Sequence, residues 1–312
     1  MPKKGTAALL ICLLLAAPSL AAQHRSSGKS RYSPTPPGTT TITSFDQAHT
    51  VVGWLEVVPF QSKIFHDTRM LRVLVPANYF SPHNAHRSYP VLYLQDGQNL
   101  FDQASSSPRG EWHVDETIDH LVGSFKLPPM FVVGIDNAGE KSKASEYLPY
   151  PDPKNEQDKF SDANSVHGKE YARFLLTEVI PFIEKYYRVS RGPVNTGLGG
   201  ASYAADAALY TVLEHPGLFG HLLLESPELE IGDGQLLKDV QKARLLPQRI
   251  YVGVGAAERP SAVEGVQELE KILHNKGLGK AQLKVIVEKG EEGNEAAWSR
   301  RLPDALTFLY GQ

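Results

Sequence analysis

Cysteine is almost absent from the chain: the single residue, Cys12, lies within an apolar run near the N-terminus. If that run is removed after Ala21, the remaining chain contains neither a disulfide nor a thiol nucleophile. Blocks of one charge are also missing, because 32 lysines and arginines stand against 35 aspartates and glutamates, giving a net charge of −3. Nucleic acids and anionic membranes are therefore not expected partners.

Long apolar runs are scarce as well, and the longest is AALLICLLLAA, close to the N-terminus. Lys3 and Lys4 precede it and the small-residue stretch PSLAA follows it, which predicts a secretory signal peptide at residues 1–21. The run is too short to span a bilayer, so we expect a secreted or periplasmic protein with no membrane span after cleavage. An uncleaved anchor is the alternative. Residues 22–44, rich in Ser, Thr and Pro, predict a flexible linker.

Residues 45–312 predict one α/β domain, because short apolar runs alternate with helical patterns. The predicted strands are 69–75, 91–94, 130–135, 222–224, 249–254 and 283–287. The predicted helices are 112–122, 167–187 with a kink near Pro181, 235–243, 261–276 and 295–310. Strands of this kind, buried on both faces, form mostly parallel sheets. The polar segment 139–166 is expected to lie above the carboxyl edge of the sheet, where ligands bind.

The stretch VNTGLGGASYAADAALY, residues 194–210, has the layout of a strand, a glycine turn, a serine and a helix. This layout predicts a nucleophile elbow, in which a strained turn presents the Ser202 hydroxyl at a helix N-terminus. The usual pattern G-x-S-x-G is altered at its last position, which is Ala204. An ordinary N-capping serine is the competing interpretation. The N–H of Tyr203 and the loop around Gly97, after the run VLYL, are the expected oxyanion donors.

Several segments together resemble the family of α/β hydrolases named Putative esterase: VLYLQDGQNLFD, MFVVGIDNAGEKSKASEYLPY, EVIPFIEKYYRV, GGASYAADAALYTVLEHPGLFG and NEAAWSRRLPDALTFLYG. That family is similar to enterobactin-type esterases, S-formylglutathione hydrolases, and feruloyl and acetyl xylan esterases. The resemblance runs from about Arg69 to the C-terminus. It implies an α/β-hydrolase fold, a predominantly parallel central sheet with helices on both faces. It also implies carboxylic-ester hydrolysis through an acyl-serine, without a metal or a cofactor.

The resemblance assigns roles to particular positions. Ser202 matches the nucleophile, and Glu258 matches the acid that orients the catalytic histidine, although a surface carboxylate is its simpler interpretation. The remaining matches are the amide donors of the oxyanion hole, Gln98 and Tyr203, and the substrate-pocket residues Asp96 and Gly97.

The catalytic histidine itself is missing. The family carries it in a turn reading H-N-E-x-x-W before the last helix, and here Gly293 stands at that position in front of an intact NEAAW. A glycine cannot accept the serine proton. His113 and His167 are the only histidines that the pattern places near the site. Glu291 and Glu292 are weak bases at an ordinary carboxyl pKa.

The sequence therefore predicts a secreted esterase-family protein for a small-molecule or glycan-linked ester, with weak or no conventional turnover. The main alternative is a pseudo-enzyme that binds an ester-, glycan- or siderophore-like ligand. A third possibility is an active esterase that uses His113 or His167 as its base. The oligomeric state is left open.

Overall fold

The computed structural model describes Met1 and residues 35–108, 110–139, 142–152 and 165–311. The predicted signal peptide, apart from Met1, and residues 22–34 of the predicted linker lie outside this range. None of the helices in the described ranges is long and apolar enough to span a bilayer.

A nine-stranded sheet forms the centre of the described chain. Its strands are β1 (Thr40–Thr43), β2 (Trp54–Gln61), β3 (Thr68–Leu74), β4 (Val91–Gln95), β5 (Phe131–Ile135), β6 (Thr196–Ala201), β7 (His221–Glu225), β8 (Arg249–Gly255) and β9 (Leu283–Glu288). Their order is β1-β2-β3-β5-β4-β6-β7-β8-β9. The six strands β4 to β9 run parallel to one another, while β1, β2 and β3 add an antiparallel edge. The predicted parallel sheet is confirmed.

Helices cover both faces of this sheet. They are α1 (Val114–Gly123), α2 (Lys143–Tyr147), α3 (Gly168–Phe174), α4 (Ile180–Tyr186), α5 (Tyr203–Glu214), α6 (Ile231–Lys242), α7 (Pro260–Asn275) and α8 (Glu295–Tyr310). Alternate residues of β4 show the two layers: Tyr93 packs with α3 to α7, whereas Leu92 and Leu94 pack with α1 and α8. Because side chains alternate across a strand, one buried run such as VLYL supplies both cores.

The predicted helix over 167–187 forms in three parts. Between α3 and α4 lies one π-helical segment, Leu175–Val179, and Pro181 follows directly in the first turn of α4. Proline removes a backbone N–H donor, and a π turn is one way a helix accommodates the resulting break. This π-helical segment lies next to Pro181, where the kink was predicted.

Two predicted boundaries need correction. The sheet begins inside the predicted linker, because Thr40–Thr43 pairs with Trp54–Val57 and buries Ile42. A four-residue strand with one apolar side chain carries too weak an alternation to stand out among neighbouring Ser, Thr and Pro. The second change is α2, a short helix within the segment predicted as a loop at 139–166.

Candidate active site

Ser202 lies between β6 and α5 in a strained turn. Its φ and ψ are 55° and −132°, a region that costs a non-glycine residue of order 1–3 kcal/mol. The backbone N–H of Ser202 donates to Glu225 O at 2.9 Å, which ties the turn to the end of the neighbouring strand β7. The hydroxyl is thereby held at the N-terminus of α5. This is the geometry that the elbow pattern predicts.

The glycines before Ser202 are required by close packing. A Cβ on Gly200 would lie 2.8 Å from the backbone of Ala204 and from Gln95 Oε1, and one on Gly199 would lie 2.7 Å from Leu223. Ala204 is fully buried. The alanine at the last position of the motif is therefore accommodated, and the helix approaches the strand closely through Gly200.

The loop after β4 lies beside the elbow. Leu94 pairs with Gly199 in parallel register, so the Gly97–Asn99 turn that follows β4 begins at the same edge of the sheet as the turn at Ser202. A Cβ on Gly97 would lie 2.7 Å from Gly134 C, which explains the glycine. Within the described chain, the N–H of Gln98 has no hydrogen-bond acceptor.

Asp96 is placed differently from a simple pocket-lining residue. Its carboxylate accepts from Asn137 Nδ2 at 2.7 Å and Tyr147 Oη at 3.1 Å, and it lies 2.5 Å from Lys143 Nζ. All three partners come from the 137–147 segment. Asp96 therefore fastens that segment over the end of β4. Next to it, Gln98, Asp136 and Asn137 help to line a polar cavity of about 320 Å³.

Glu258 follows β8 and is held by short hydrogen bonds. Its Oε1 accepts from Ser226 Oγ at 2.7 Å and from the N–H of Gly255 at 2.6 Å. Ser226 in turn accepts from Trp298 Nε1 at 2.9 Å. Among the described residues, no lysine or arginine pairs with this carboxylate. Its Oε2 faces the turn before α8.

Gly293 lies directly against that carboxylate. A Cβ built on it would be 2.9 Å from Glu258 Cδ and Oε2 and 3.1 Å from Ser226 Oγ. Glu258 therefore takes up part of the volume that a side chain at position 293 would need. The acid and the glycine are neighbours, as the resemblance implies for an acid and a histidine.

The Ser202 hydroxyl has a partner that the sequence analysis missed. Its Oγ donates to Glu228 Oε1 at 3.2 Å, and the other carboxylate oxygen of Glu228 pairs with Arg259. Glu228 follows β7 in the segment Ser226-Pro227-Glu228, where Ser226 has a φ of 47°. The sequence signal that could have identified Glu228 is its place just after a buried strand, since ligands bind at the carboxyl ends of such strands.

No histidine in the described ranges reaches Ser202. His113 lies 3.2 Å from Glu116 Oε1, and the backbone N–H of His167 donates to Ser145 O at 2.7 Å. Neither imidazole makes a hydrogen bond to the serine. The third reading, in which one of them replaces the missing base, has no geometric support.

Glu111, His113 and Glu116 have ligand atoms within 4.8 Å of one another, a spacing that a divalent ion could bridge. Glu116 lies in the first turn of α1, where a carboxylate is stabilised by the helix dipole without an ion. The cluster touches none of the residues matched to the catalytic roles.

Two buried acids lie beneath the site. Burial raises the pKa of Glu225 to about 7, against the opposing effect of Arg301, whose Nη2 lies 2.7 Å from it. Burial, and next the charge of Glu230, raise the pKa of Asp206 well above its usual range. The Oδ1 of Asp206 accepts from the N–H of Glu228 at 3.0 Å.

With this geometry in place, comparisons with known proteins identify the family. The family model described as Putative esterase matches residues 62–309. The chain belongs to this family. The family match, the mostly parallel sheet and the helices on both of its faces together confirm the expected α/β-hydrolase fold.

Two relatives are similar to this chain in sequence. "Uncharacterized protein YbbA" of Bacillus subtilis is 23% identical over 231 residues, covering 72% of this chain and 86% of its own. The "Endo-1,4-beta-xylanase/feruloyl esterase" of Xylanibacter ruminicola is 23% identical over 262 residues, 83% of this chain but 31% of its own length.

Solved structures show the same likeness. The BES protein from Bacillus cereus has a TM-score of 0.65 at 19% identity, covering 83% of this chain and 96% of its own. The enterobactin esterase of Shigella flexneri, solved with enterobactin, has a TM-score of 0.62 at 20% identity, covering 82% and 58%.

Proposed function

We propose that the chain hydrolyses a carboxylic ester through an acyl-serine on Ser202, with weak turnover because Gly293 stands where the family has its catalytic histidine. The observation that carries this proposal is that Gly293 lies against the carboxylate of Glu258, the residue matched to the acid. A Cβ built on Gly293 would be 2.9 Å from that carboxylate. The strained turn at Ser202 supports the nucleophile role, and the Ser202 hydroxyl donates to a carboxylate, that of Glu228, and to no imidazole in the described ranges.

The oxyanion hole in this proposal is formed by the N–H groups of Gln98 and Tyr203. Gln98 has no acceptor for its N–H in the described chain, and Tyr203 opens α5, whose first-turn N–H groups point toward the elbow. Two such donors stabilise the developing oxyanion. Loss of one donor typically lowers kcat by about 10²–10³-fold. They act whether or not a good base is present.

The ligand class proposed is a small-molecule or glycan-linked ester. Relatives with feruloyl esterase and enterobactin esterase in their names support an ester, and the polar cavity beside Gln98 supports a ligand with hydroxyl or carbonyl groups. The protein is proposed to act outside the cytoplasm. Mass spectrometry of the protein isolated from its host tests this, since cleavage should leave Ala22 at the N-terminus.

The test of the chemistry compares wild type with Ser202→Ala on 4-nitrophenyl acetate and methyl ferulate. We expect slow hydrolysis that disappears in Ser202→Ala, together with labelling of Ser202 by a fluorophosphonate. Equal rates in both proteins, and no labelling, would contradict an acyl-serine.

The second candidate, a pseudo-enzyme that binds an ester-, glycan- or siderophore-like ligand, is favoured by the same missing base. It predicts saturable binding of such an ester without release of acid. Calorimetric titration of Ser202→Ala and wild type with methyl ferulate separates the two functions, because only the hydrolase shows continued heat from turnover.

A further inference from the structure

The hydrogen-bond acceptor of the Ser202 hydroxyl is a carboxylate, that of Glu228. Glu228 Oε1 lies 3.2 Å from Ser202 Oγ, within the distance over which a hydroxyl can pass its proton. We propose that Glu228 is the base that accepts the Ser202 proton in this chain. This inference rests on the proposed function, because it names the proton acceptor of the same reaction.

Glu228 is held in that position from three sides. Its backbone N–H donates to Asp206 Oδ1 at 3.0 Å, its Oε2 pairs with Arg259, and its Oε1 meets the hydroxyl. Its side chain is 16% exposed. The arrangement assigns one carboxylate oxygen to the cation and leaves the other for the serine.

The charged groups around Glu228 are few. Arg259 precedes α7 and also lies 3.3 Å from Glu230 Oε1, so it balances both carboxylates. Asp206, on α5, meets the backbone N–H of Glu228, and burial raises the pKa of its carboxyl well above the usual range. Within the described residues, Arg259 is the cation that pairs with the Glu228 carboxylate.

Glu228 can carry the proton through both halves of the reaction. As Ser202 Oγ bonds to the ester carbonyl carbon, its proton passes to the Glu228 carboxylate. When the intermediate collapses, the bond to the alcohol oxygen breaks and the carboxylic acid returns the proton to the leaving alkoxide. In the second half a water gives its proton to Glu228, attacks the acyl carbon, and Ser202 leaves with that proton.

This base accounts for a low rate in place of none. Model carboxyl groups have a pKa of about 4.3 and imidazoles of about 6.5, so a carboxylate is the weaker acceptor. It is, however, ionised over a wider range of pH. Between pH 7.5 and 5 the ionised fraction of such a carboxyl falls by less than about twofold, whereas the neutral fraction of an imidazole falls about thirtyfold.

The experiment measures kcat/KM for 4-nitrophenyl acetate, corrected for Ser202→Ala, in Glu228→Gln and in Glu230→Gln. Glutamine keeps the size of the side chain but cannot accept the proton. We expect Glu228→Gln to lose at least about tenfold. Glu230→Gln, which contacts the same Arg259 but not Ser202, should keep the wild-type rate. The wild-type rate should stay nearly flat from pH 7.5 to 5.

Chemical rescue separates proton transfer from packing. Glu228→Ala opens space beside Ser202, and added formate should restore part of the lost rate, whereas chloride at equal ionic strength should not. A Ser202-dependent rate that survives in Glu228→Gln, or a thirtyfold fall toward pH 5, overturns the inference alone. Absence of Ser202-dependent hydrolysis and of fluorophosphonate labelling in wild type overturns both it and the proposed function.

Discussion

Restoring an imidazole at position 293 is the most direct perturbation of this site. The backbone of Gly293 does not require a glycine, because its φ lies outside the left-handed region. A histidine there would have its Cβ 2.9 Å from the Glu258 carboxylate, beside the residue matched to the orienting acid. Gly293→His is therefore expected to rebuild the base together with its orienting acid.

The magnitude follows from two opposing terms. A positioned general base contributes about 10²–10⁴ in rate. Against this, Glu258 must withdraw from contact, which strains or breaks its hydrogen bonds to Ser226 and Gly255, each worth about 1.5–3 kcal/mol for a charged acceptor. We therefore expect the net increase in Ser202-dependent kcat to lie at the lower end of that range, about a hundredfold. Glu258→Asp in the same chain shortens the acid by one methylene and relieves the contact.

The assay is hydrolysis of 4-nitrophenyl acetate by wild type, Gly293→Ala, Gly293→His and Gly293→His/Glu258→Asp. Gly293→Ala is the matched control, because it adds the same Cβ without a ring nitrogen. The restored activity should gain a pH limb at about 6.5, which is the pKa of an ordinary imidazole. If Gly293→His folds, reacts with a fluorophosphonate, and is still no faster than Gly293→Ala, the vacant-histidine reasoning is wrong.

Other parts of the structure give further expectations. Gly200→Ala should abolish fluorophosphonate labelling and lower the melting temperature, since its Cβ would meet backbone at 2.8 Å, whereas Gly279→Ala, with open space around it, should do neither. Asp115→Asn should raise the melting temperature, and by more at pH 8 than at pH 5. Burial, and then Glu116, raise the pKa of Asp115 to about 9, so the folded state holds a proton that the unfolded chain releases above about pH 4, and stability falls as pH rises. Arg301→Met should destabilise the protein by about 3–5 kcal/mol in urea unfolding, because it leaves the buried Glu225 without its cation.

The strands and the elbow could be predicted because their signals are local. Runs such as MFVVGI are apolar at every position, and only a strand buried on both faces needs that. The turn at Ser202 follows from glycines whose Cβ atoms would clash. The edge strands β1 and β2 were missed. Strand β1 buries only Ile42, and β2 contains Pro59, a residue that is rare within strands. In the structure, Pro59 lies beyond the stretch of β2 that pairs with β1.

The partner of Ser202 could not be found in the same way. Glu228 is 26 residues away in the chain, and the contact exists only because Ala201 pairs with Glu225 in the parallel register. A shift of one residue in that register would turn the next side chains to the opposite face. The absence of histidine at 293, in contrast, was readable directly, because the flanking NEAAW fixes the position.

In the proposed mechanism, Glu258 and Glu228 act on Ser202 by different routes, and this leads to a test by coupling. Within the described residues, Glu258 contacts Gly293 and Ser226 and makes no hydrogen bond to Ser202, so its influence should depend on an imidazole between them. We expect Glu258→Gln to cost at least about tenfold more activity in the Gly293→His background than in the wild-type background, a coupling of about 1.4 kcal/mol or more. Glu228→Gln should show the reverse dependence, because a restored histidine replaces it as base. Rates of wild type, the three single variants and the two double variants on 4-nitrophenyl acetate measure both couplings. Equal, non-zero costs of Glu258→Gln in the two backgrounds would show that Glu258 acts on Ser202 without a histidine.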